Sequence, residues 1–456
     1  MFGGLLKSTS LAALVAVAGV AVSGFSAQAA DLGGNCCADL EERIAELEAT
    51  TARKGNRKVS LTVSGYVNEA ILAFDDGVER NAYITTNERD RSRFRFVGSA
   101  KINSDWTAGY LLEIGVRGNR QNQTSQDVSS TGKGLDVRHS AFWLQNKDLG
   151  KLWVGQTSEA TDGITEVNLA NTNHFAHAQL EDYIGGFFLR NSATGLKSTR
   201  SIANITGIGS GGNNPGEGTR FNVVKYETPT LAGFIGSASF GEDDLWDVAL
   251  RYAGEFSGVK LAAGIGYTSW HDNNKVVNAV GVAGSSNRNC ARAAGTNAFC
   301  DELGLSASIM HVPTGLYLSG SYGTRTEEFR VQVLGANSKN RDEFYYVQGG
   351  IEQAFLPLGK STLYGEYFDG RFGGAIDTTG NVSVGRTDAG LGFGAGLIGS
   401  SEVNYWGIGF NQNIAAAAMD IYVGFRNYDF DVKSVTGVKA QVEDIQTIIT
   451  GAKIQF

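Results

Sequence analysis

From residue 58 onward, apolar and polar residues alternate with a period of two along most of the chain. In the first such segment, Val59, Leu61, Val63 and Val67 alternate with serine, threonine and tyrosine. This period is typical of β-strands that are apolar on one face only. We predict about 16 strands, an even number as in bacterial single-chain barrels. They lie near residues 58–75, 91–102, 106–117, 136–146, 150–156, 219–228, 232–241, 245–254, 258–270, 302–312, 315–325, 342–354, 361–372, 402–412, 416–430 and 440–456.

The connections between these segments alternate in length. Short turns such as NSDW (103–106) and EFSG (255–258) alternate with long polar loops, among them 118–134, 157–218, 272–301 and 373–401. Short turns at one end and long loops at the other are typical of outer-membrane barrels. The sequence therefore predicts an all-β fold, a 16-stranded antiparallel transmembrane β-barrel over residues 58–456. Aromatic residues near strand ends would form its interfacial girdles: Trp106, Tyr110, Trp246, Tyr252, Trp270, Tyr405 and Trp406.

The residues before the barrel follow different patterns. Apolar positions in 36–53 recur every three or four residues, which predicts a short coiled-coil helix within a periplasmic segment 30–57. A single amphipathic helix on the end of the barrel is the alternative. Further upstream, Lys7, the apolar run 11–22 and Ala27-Gln28-Ala29 form a secretory signal peptide over 1–29, although an uncleaved anchor is the other possible interpretation.

Composition restricts the class of protein further. The chain has 61 Gly, 24 Phe and 16 Tyr, but only 4 Pro. After the signal peptide, no apolar run approaches the roughly 18 residues that a membrane helix needs. A membrane-embedded chain must then be a closed barrel, because only helices and closed barrels satisfy their backbone hydrogen bonds in lipid. The formal charge of −8 argues against a nucleic-acid partner.

The stretch RSRFRFVG (91–98) places arginine and phenylalanine on alternate positions. In a barrel wall, Phe94 and Phe96 would face lipid, while Arg93 and Arg95 would face a wet lumen. The opposite arrangement is unfavourable, because an arginine facing lipid near the midplane costs roughly 2–4 kcal/mol.

Three long segments and the chain end resemble the general porins of alphaproteobacteria. The segments are NCCADLEERIAELEATTARKGNRKVSLTVSGYVNEAI (35–71), RSRFRFVGSAKINSDWTAGYLLE (91–113) and LWDVALRYAGEFSGVKLAAGIGY (245–267). The resemblance implies a homotrimer of barrels in outer-membrane lipid, each with a water-filled pore through which ions and small hydrophilic solutes diffuse passively. The ending GAKIQF resembles the signal, ending here in Phe456, that the barrel-assembly machinery reads.

The resemblance also implies a constriction, in which the third long loop folds into the barrel and its acidic residues face a basic wall. Candidates for the wall are Arg91, Arg93, Arg95, Arg138 and Arg426. Candidates on the loop are Glu159, Asp162, Glu166, Glu181 and Asp182. The PEFGG turn of enteric porins is absent, so the path of the loop stays open, and each carboxylate could instead simply be solvated.

The four cysteines form two pairs in sequence. Cys290 and Cys300 flank a polar segment, and in an exported protein they predict a loop-closing disulfide. Cys36 and Cys37 are adjacent, which favours pairing between chains or with other thiols.

Other functions are possible for such a chain. A sugar-selective channel would need a track of aromatic residues in the lumen, for which Tyr66, Tyr346, Tyr364 and Tyr422 are candidates. A structural tether to peptidoglycan through Ala30-Asp31 is compatible with a pore. Acidic clusters such as Asp75-Asp76 could bridge lipopolysaccharide through calcium or be solvated. We expect no enzyme, metal site or cofactor, because no motif surrounds any serine and the HFAH run (174–177) lies alone in a polar loop.

Overall fold

The computed structural model describes residues 58–208, 213–241, 244–272, 298–327, 337–374, 388–393 and 398–456. The predicted signal peptide, the coiled-coil segment and Cys36, Cys37 and Cys290 lie outside these ranges. The strands of the main sheet are β1 Thr62–Asp75, β2 Arg80–Thr86, β3 Arg93–Lys101, β4 Trp106–Arg117, β5 Gly134–Asn146, β6 Gly150–Ser158, β9 Arg220–Glu227, β10 Phe234–Gly241, β11 Trp246–Phe256, β12 Val259–Asp272, β13 Ala298–His311, β14 Leu316–Glu327, β15 Arg341–Leu356, β16 Gly359–Phe372, β17 Ile398–Ile414, β18 Met419–Ser434 and β19 Ile445–Gln455.

These strands form one closed antiparallel sheet. β2 and β3 pair with successive halves of β1, so they occupy a single position in the wall, and the barrel has 16 positions. β1 also pairs with β19, where Val67 lies opposite Ile454. The backbone N–H and C=O groups of Phe456 both bond Gly65 at 3.0 Å, which extends this seam to the last residue. The predicted 16-stranded antiparallel barrel is confirmed.

The region between β1 and β3 lies outside the predicted strands, but it contains β2. The ladder of the wall breaks at the charged run Glu88-Arg89-Asp90-Arg91, between β2 and β3. All four side chains form ion pairs, Arg89 with Glu166 of the connection 159–219 and the other three with charged groups of β3, β4 and β5. These ion pairs therefore account for the break between β2 and β3, which the periodicity of the strands does not predict.

The outer surface of the barrel follows the predicted alternation. Leu261 and Ile265 of β12, and Trp406 and Ile408 of β17, are exposed large apolar residues at alternate positions. The prediction for the girdles is partly wrong, because Tyr405 is buried inside the barrel, as is Trp270. Tyr405 and Trp406 are neighbours in one strand, and successive side chains point to opposite faces. Within the described ranges, no helix has the length and apolar character needed to cross a membrane.

The longest described connection, residues 159–219 between β6 and β9, is called the inner loop. It contains the short helices α1 (Glu181–Ile184) and α2 (Ile202–Ile205) and a hairpin of β7 (Phe188–Arg190) and β8 (Lys197–Ser201). Its two ends meet where the N–H of Glu159 donates to the carbonyl of Thr219 at 3.1 Å. The core of the molecule lies between this loop and the barrel wall, where loop residues such as Phe175 and Phe187 join one cluster with wall residues.

Candidate functional site

A group of six arginines lies on and beside β3, β4 and β5, and we call it the arginine cluster. Its members are Arg91, Arg93, Arg95, Arg117, Arg120 and Arg138, and its carboxylate partners are Glu88, Asp90, Glu113 and Asp136. Four of the five predicted wall residues are therefore brought together. The set carries more positive than negative groups, and so it presents net positive charge.

Glu113 of β4 holds the cluster together. Its carboxylate has no exposure and accepts hydrogen bonds from Arg93 Nη1 at 3.1 Å, from Arg95 Nε at 2.7 Å and from Arg138 Nε at 2.7 Å. A fully buried carboxylate is costly unless it is paired and hydrogen-bonded, and here three guanidinium groups satisfy both conditions. The pairing register places Glu113 directly opposite Arg95.

A second part of the cluster is held together in the same way by the carboxylates of Glu88 and Asp136. Glu88 Oε1 lies 3.2 Å from Arg91 and 3.3 Å from Arg117, while Asp136 accepts from Arg91 at 3.1 Å. These pairs link the charged run after β2 to the ends of β4 and β5. The arrangement fixes long side chains that would otherwise sample many rotamers.

Members of the cluster differ in their access to water. The side chain of Arg95 is 42% exposed, whereas those of Arg93 and Arg138 are 10% and 7% exposed. Arg93 also lies over the ring of Tyr66, with its guanidinium carbon 4.9 Å from the ring centroid. Of the three arginines bound to Glu113, Arg95 is thus the one most accessible to a passing solute.

The inner loop is fixed to the lumen side of the wall by hydrogen bonds from its backbone. Its N–H groups donate to wall side chains on β11, β13 and β15: Thr161 to Asp247 at 2.7 Å, Val167 to Ser306 at 3.1 Å, Leu169 to Ser308 at 3.0 Å and Asn171 to Glu352 at 2.8 Å. Irregular backbone at membrane depth is tolerated only where such partners replace water. Polar residues on the inner faces of these strands therefore determine the path of the loop.

The predicted loop acids have separate partners. Glu166 forms a two-point ion pair with Arg89, at 2.7 and 2.6 Å, and Asp162 lies 3.4 Å from Arg220. Asp182 faces His177 Nε2 at 3.3 Å. The other two lie elsewhere: Glu159 accepts the N–H of Thr219 at 2.5 Å, and Glu181 accepts from Asn122 at 2.8 Å.

Protonation in the loop follows from these contacts. Burial alone raises the pKa of the Asp162 carboxyl, but Arg220 and the Ser158 hydroxyl outweigh it and lower the pKa. Burial lowers the pKa of His177 well below its usual value, and the nearby Arg89 lowers it further. The Nδ1 atom of His177 accepts the N–H of Gln179 at 3.0 Å, which agrees with a neutral ring. Asp162 is therefore charged at neutral pH, and His177 is not.

The inward tyrosines of the opposite wall are covered by the inner loop. Tyr346, Tyr364 and Tyr422 are only 7%, 4% and 1% exposed. Phe175 of the loop stacks on Tyr422 with ring centroids 4.5 Å apart and meets Tyr364 edge-on at 5.8 Å. These rings act as core residues, and they do not present the continuous aromatic track that a sugar-selective channel would need.

Arg426, the fifth predicted wall residue, has different neighbours. On β18 its guanidinium pairs with Glu366 at 2.6 Å and donates to the carbonyl of His177 at 2.9 Å. It also lies over the ring of Tyr183, 4.0 Å from the centroid. The structure thus places Arg426 beneath the inner loop, where it anchors the loop.

Two further predicted residues have defined environments. Cys300 is buried and disulfide-bonded, while its pairing with Cys290 stays a prediction. The ring of Phe456 is exposed and lies over Gly65, where an added Cβ would come within 2.7 Å of it. A side chain at position 65 would therefore collide with the terminal ring.

Sequence reasoning missed Glu113, Arg89 and Arg220. A signal for Glu113 was present, since the short turn after β3 sets the register that pairs it with Arg95. No comparable signal existed for Arg89 and Arg220, because their partners lie in the inner loop.

Comparison with known proteins agrees with this architecture. A family model described as Gram-negative porin matches residues 10–448. The comparison with curated protein sequences gives no match. An anion-selective porin from Comamonas acidovorans has a similar fold, with a TM-score of 0.52 and 15% identity over 87% of this chain and all of that one. OmpT of Vibrio cholerae (TM-score 0.49, 11% identity, 88% and 99% covered) and OmpF of Salmonella typhi in complex with daunomycin (0.47, 12%, 88% and 98%) are further matches.

Proposed function

Because the chain belongs to the Gram-negative porin family, we propose that its arginine cluster and inner loop form the narrowest part of a diffusion pore. The protein is an outer-membrane channel for passive diffusion of small hydrophilic solutes. Family and fold point to a channel rather than an enzyme. The constriction, its charge preference and the assembly state are our proposals.

The observation that carries the proposal is the exposed guanidinium of Arg95. The loop covers the aromatic wall of β15–β18, so solutes pass on the side of the arginine cluster. On that side Arg95 is the most exposed of the arginines bound to Glu113. The carboxylates of Asp162 and Glu166 on the inner loop are the negative charges that we propose to face it. Facing charges across a narrow pore impose a transverse field, and their sum biases the choice of ion.

The charge balance favours anions weakly. The arginine cluster contains six guanidinium groups and four carboxylates, and Lys453 adds a cation 2.6 Å from Asp90. The inner-loop acids Glu166 and Asp162 have Arg89 and Arg220 as counter-ions, while Asp182, which faces the neutral His177, subtracts at most one charge. The constriction therefore carries a small positive excess.

We propose that the functional unit is a homotrimer. The heptad pattern of 36–53 supports this, since a seam of barely two heptads needs a body that already brings chains together. Contacts with lipopolysaccharide, the barrel-assembly machinery and peptidoglycan stay predictions. The mass of the complex in mild detergent tests the trimer, and a stable monodisperse monomer would contradict it.

Single-channel recording in a planar bilayer tests the pore itself. We expect open channels that appear in groups of three and a reversal potential under a salt gradient with the sign of weak anion preference. Cation preference would contradict the charge balance, and single independent steps would contradict the trimer.

A further inference from the structure

A cavity of about 400 Å³ opens beside the root of the inner loop, near the short turns of the barrel. It is lined by the turn after β5, by the turn 228–230 and by the inward side chains of β6, β9 and β11. Short turns mark the periplasmic end in this class of barrel. The cavity is therefore a recess of the periplasmic vestibule, and the arginine cluster does not line it.

Lys151 is the first of two cations in this recess that have no carboxylate within ion-pair distance among the described residues. Its ammonium lies 4.4 Å from the ring centroid of Trp143 and 3.9 Å from that of Trp153. The indole faces attract the cation and hold it in place, but they do not neutralise it. Gly109 makes room for this arrangement, because an added Cβ there would collide with the Trp143 ring.

Arg251 is the second such cation. Its guanidinium donates to the backbone carbonyls of Ala160 at 2.7 Å and Asp162 at 2.8 Å. These carbonyls satisfy two of its donors, and no carboxylate of the described residues lies within ion-pair distance of it. Both cations line the same recess.

Four other charged residues of the recess have ion-pair partners of their own. Lys225 pairs with Glu227 at 3.0 Å, and the indole N–H of Trp153 donates to the same carboxylate at 3.1 Å. Lys147 pairs with Asp105 at 2.8 Å, and Asp162 is held by Arg220. The recess also contains the carboxylate of Glu159, which accepts the N–H of Thr219, so it is a concave polar site in which two fixed cations outnumber this one acid.

We propose that this vestibule recess binds small solutes that carry a carboxylate or phosphate group, with the oxyanion between Lys151 and Arg251. Carboxylate and phosphate share the acceptor oxygens that ammonium and guanidinium groups recognise. Trp143 and Trp153 are positioning residues, because they act through Lys151. The site binds its solute weakly and transiently, because conduction requires that a bound solute also leave. It rests on the channel activity and not on the proposed constriction.

The test is single-channel recording of the full protein in chloride, with sodium phosphate or sodium acetate added on the short-turn side. We expect concentration-dependent interruptions of the current. Lys151→Met should weaken this binding about tenfold, the loss of one charge-assisted contact. Lys147→Met is the matched control, because it removes the same charge from the same recess at an ion-paired residue, and binding should stay within about twofold.

A second variant separates positioning from charge. Trp153→Leu keeps every charge but releases Lys151, so binding should weaken by about threefold, the lower range for one cation–π contact, while the reversal potential in chloride stays unchanged. The site is supported if phosphate, acetate or both interrupt the wild-type current and these interruptions are lost in Lys151→Met. The anion that interrupts the current is then the oxyanion that the site binds. Equal losses in Lys151→Met and Lys147→Met, or no interruptions by either anion in the wild type, would overturn it. The variant Arg93→Ser/Arg95→Ser should retain the interruptions whether or not its own selectivity changes.

Discussion

Replacing Arg93 and Arg95 with serine changes the charge of the arginine cluster most directly. The cluster then contains four guanidinium groups and four carboxylates instead of six and four, so its positive excess disappears. Glu113 keeps its contact with Arg138 at 2.7 Å, and we therefore expect the barrel to assemble. The shorter side chains also widen the pore, which should raise the conductance and speed the passage of uncharged solutes.

The expected change in selectivity follows from Coulomb's law. A unit charge about 7 Å from a passing ion contributes roughly 0.6 kcal/mol in water, so the two arginines contribute about 1 kcal/mol together. Removing them favours cations and disfavours anions by this amount each. At about 0.01 M salt, with a Debye length of about 30 Å, the cation-to-anion permeability ratio should rise about twentyfold. At about 1 M, where the Debye length is about 3 Å, the rise should be less than twofold.

The measurement is the reversal potential of single channels under a salt gradient, at low and at high mean salt. Arg95→Lys is the control, because it keeps the charge at the exposed position and should leave the reversal potential nearly unchanged. If the double serine variant has the reversal potential and conductance of the wild type, these arginines do not lie at the constriction. A shift of equal size at both salt concentrations would contradict the electrostatic origin.

Three other predictions address assembly and the inner loop. Deleting Phe456 should reduce the yield of folded barrel in outer-membrane fractions without changing the conductance of assembled channels; wild-type yield would contradict this. Arg89→Met leaves the Glu166 carboxylate without its counter-ion, at a cost of about 3 kcal/mol, so current noise should rise. Adding Glu166→Gln should restore quiet channels, and noise that persists in the double variant would refute the pairing. Burial lowers the pKa of His174 from 6.5 to about 4, so docking of the inner loop with a neutral His174 against Tyr422 is fully favoured above pH 6.5 and weakens as the pH falls toward 4. Channel closures should therefore increase between pH 7 and pH 4.5, and they should increase less in His174→Gln than in the wild type, because buried His177 still contributes; identical pH profiles would exclude His174.

The sequence by itself determined the barrel. When apolar and polar residues alternate with a period of two, and one side of the wall is lipid and the other is water, each strand has only one favourable choice of which face points outward. Phe94 and Phe96 belong on the outside, because an arginine at either position would face lipid at a cost in free energy. The short turns then set the register of each hairpin, and through it contacts such as Arg95 with Glu113. The length of the turn from β3 to β4 is a local property of the chain, and it is enough to bring these two residues opposite each other.

Only the tertiary structure decided which part of the lumen is filled by the inner loop and which part stays open. The residues that contact each other there are far apart in the chain, and no local periodicity links them. Phe175 of the inner loop stacks on Tyr422 of β18, near the other end of the chain, and Arg89 meets Glu166 only once the inner loop has followed the wall. The same docking converts Tyr346, Tyr364 and Tyr422 from apparent pore-lining residues into core, and it places Arg426 beneath the loop. The location of the open lumen depends on hydrogen bonds between the loop and polar residues on many strands, and only the closed barrel brings those residues together.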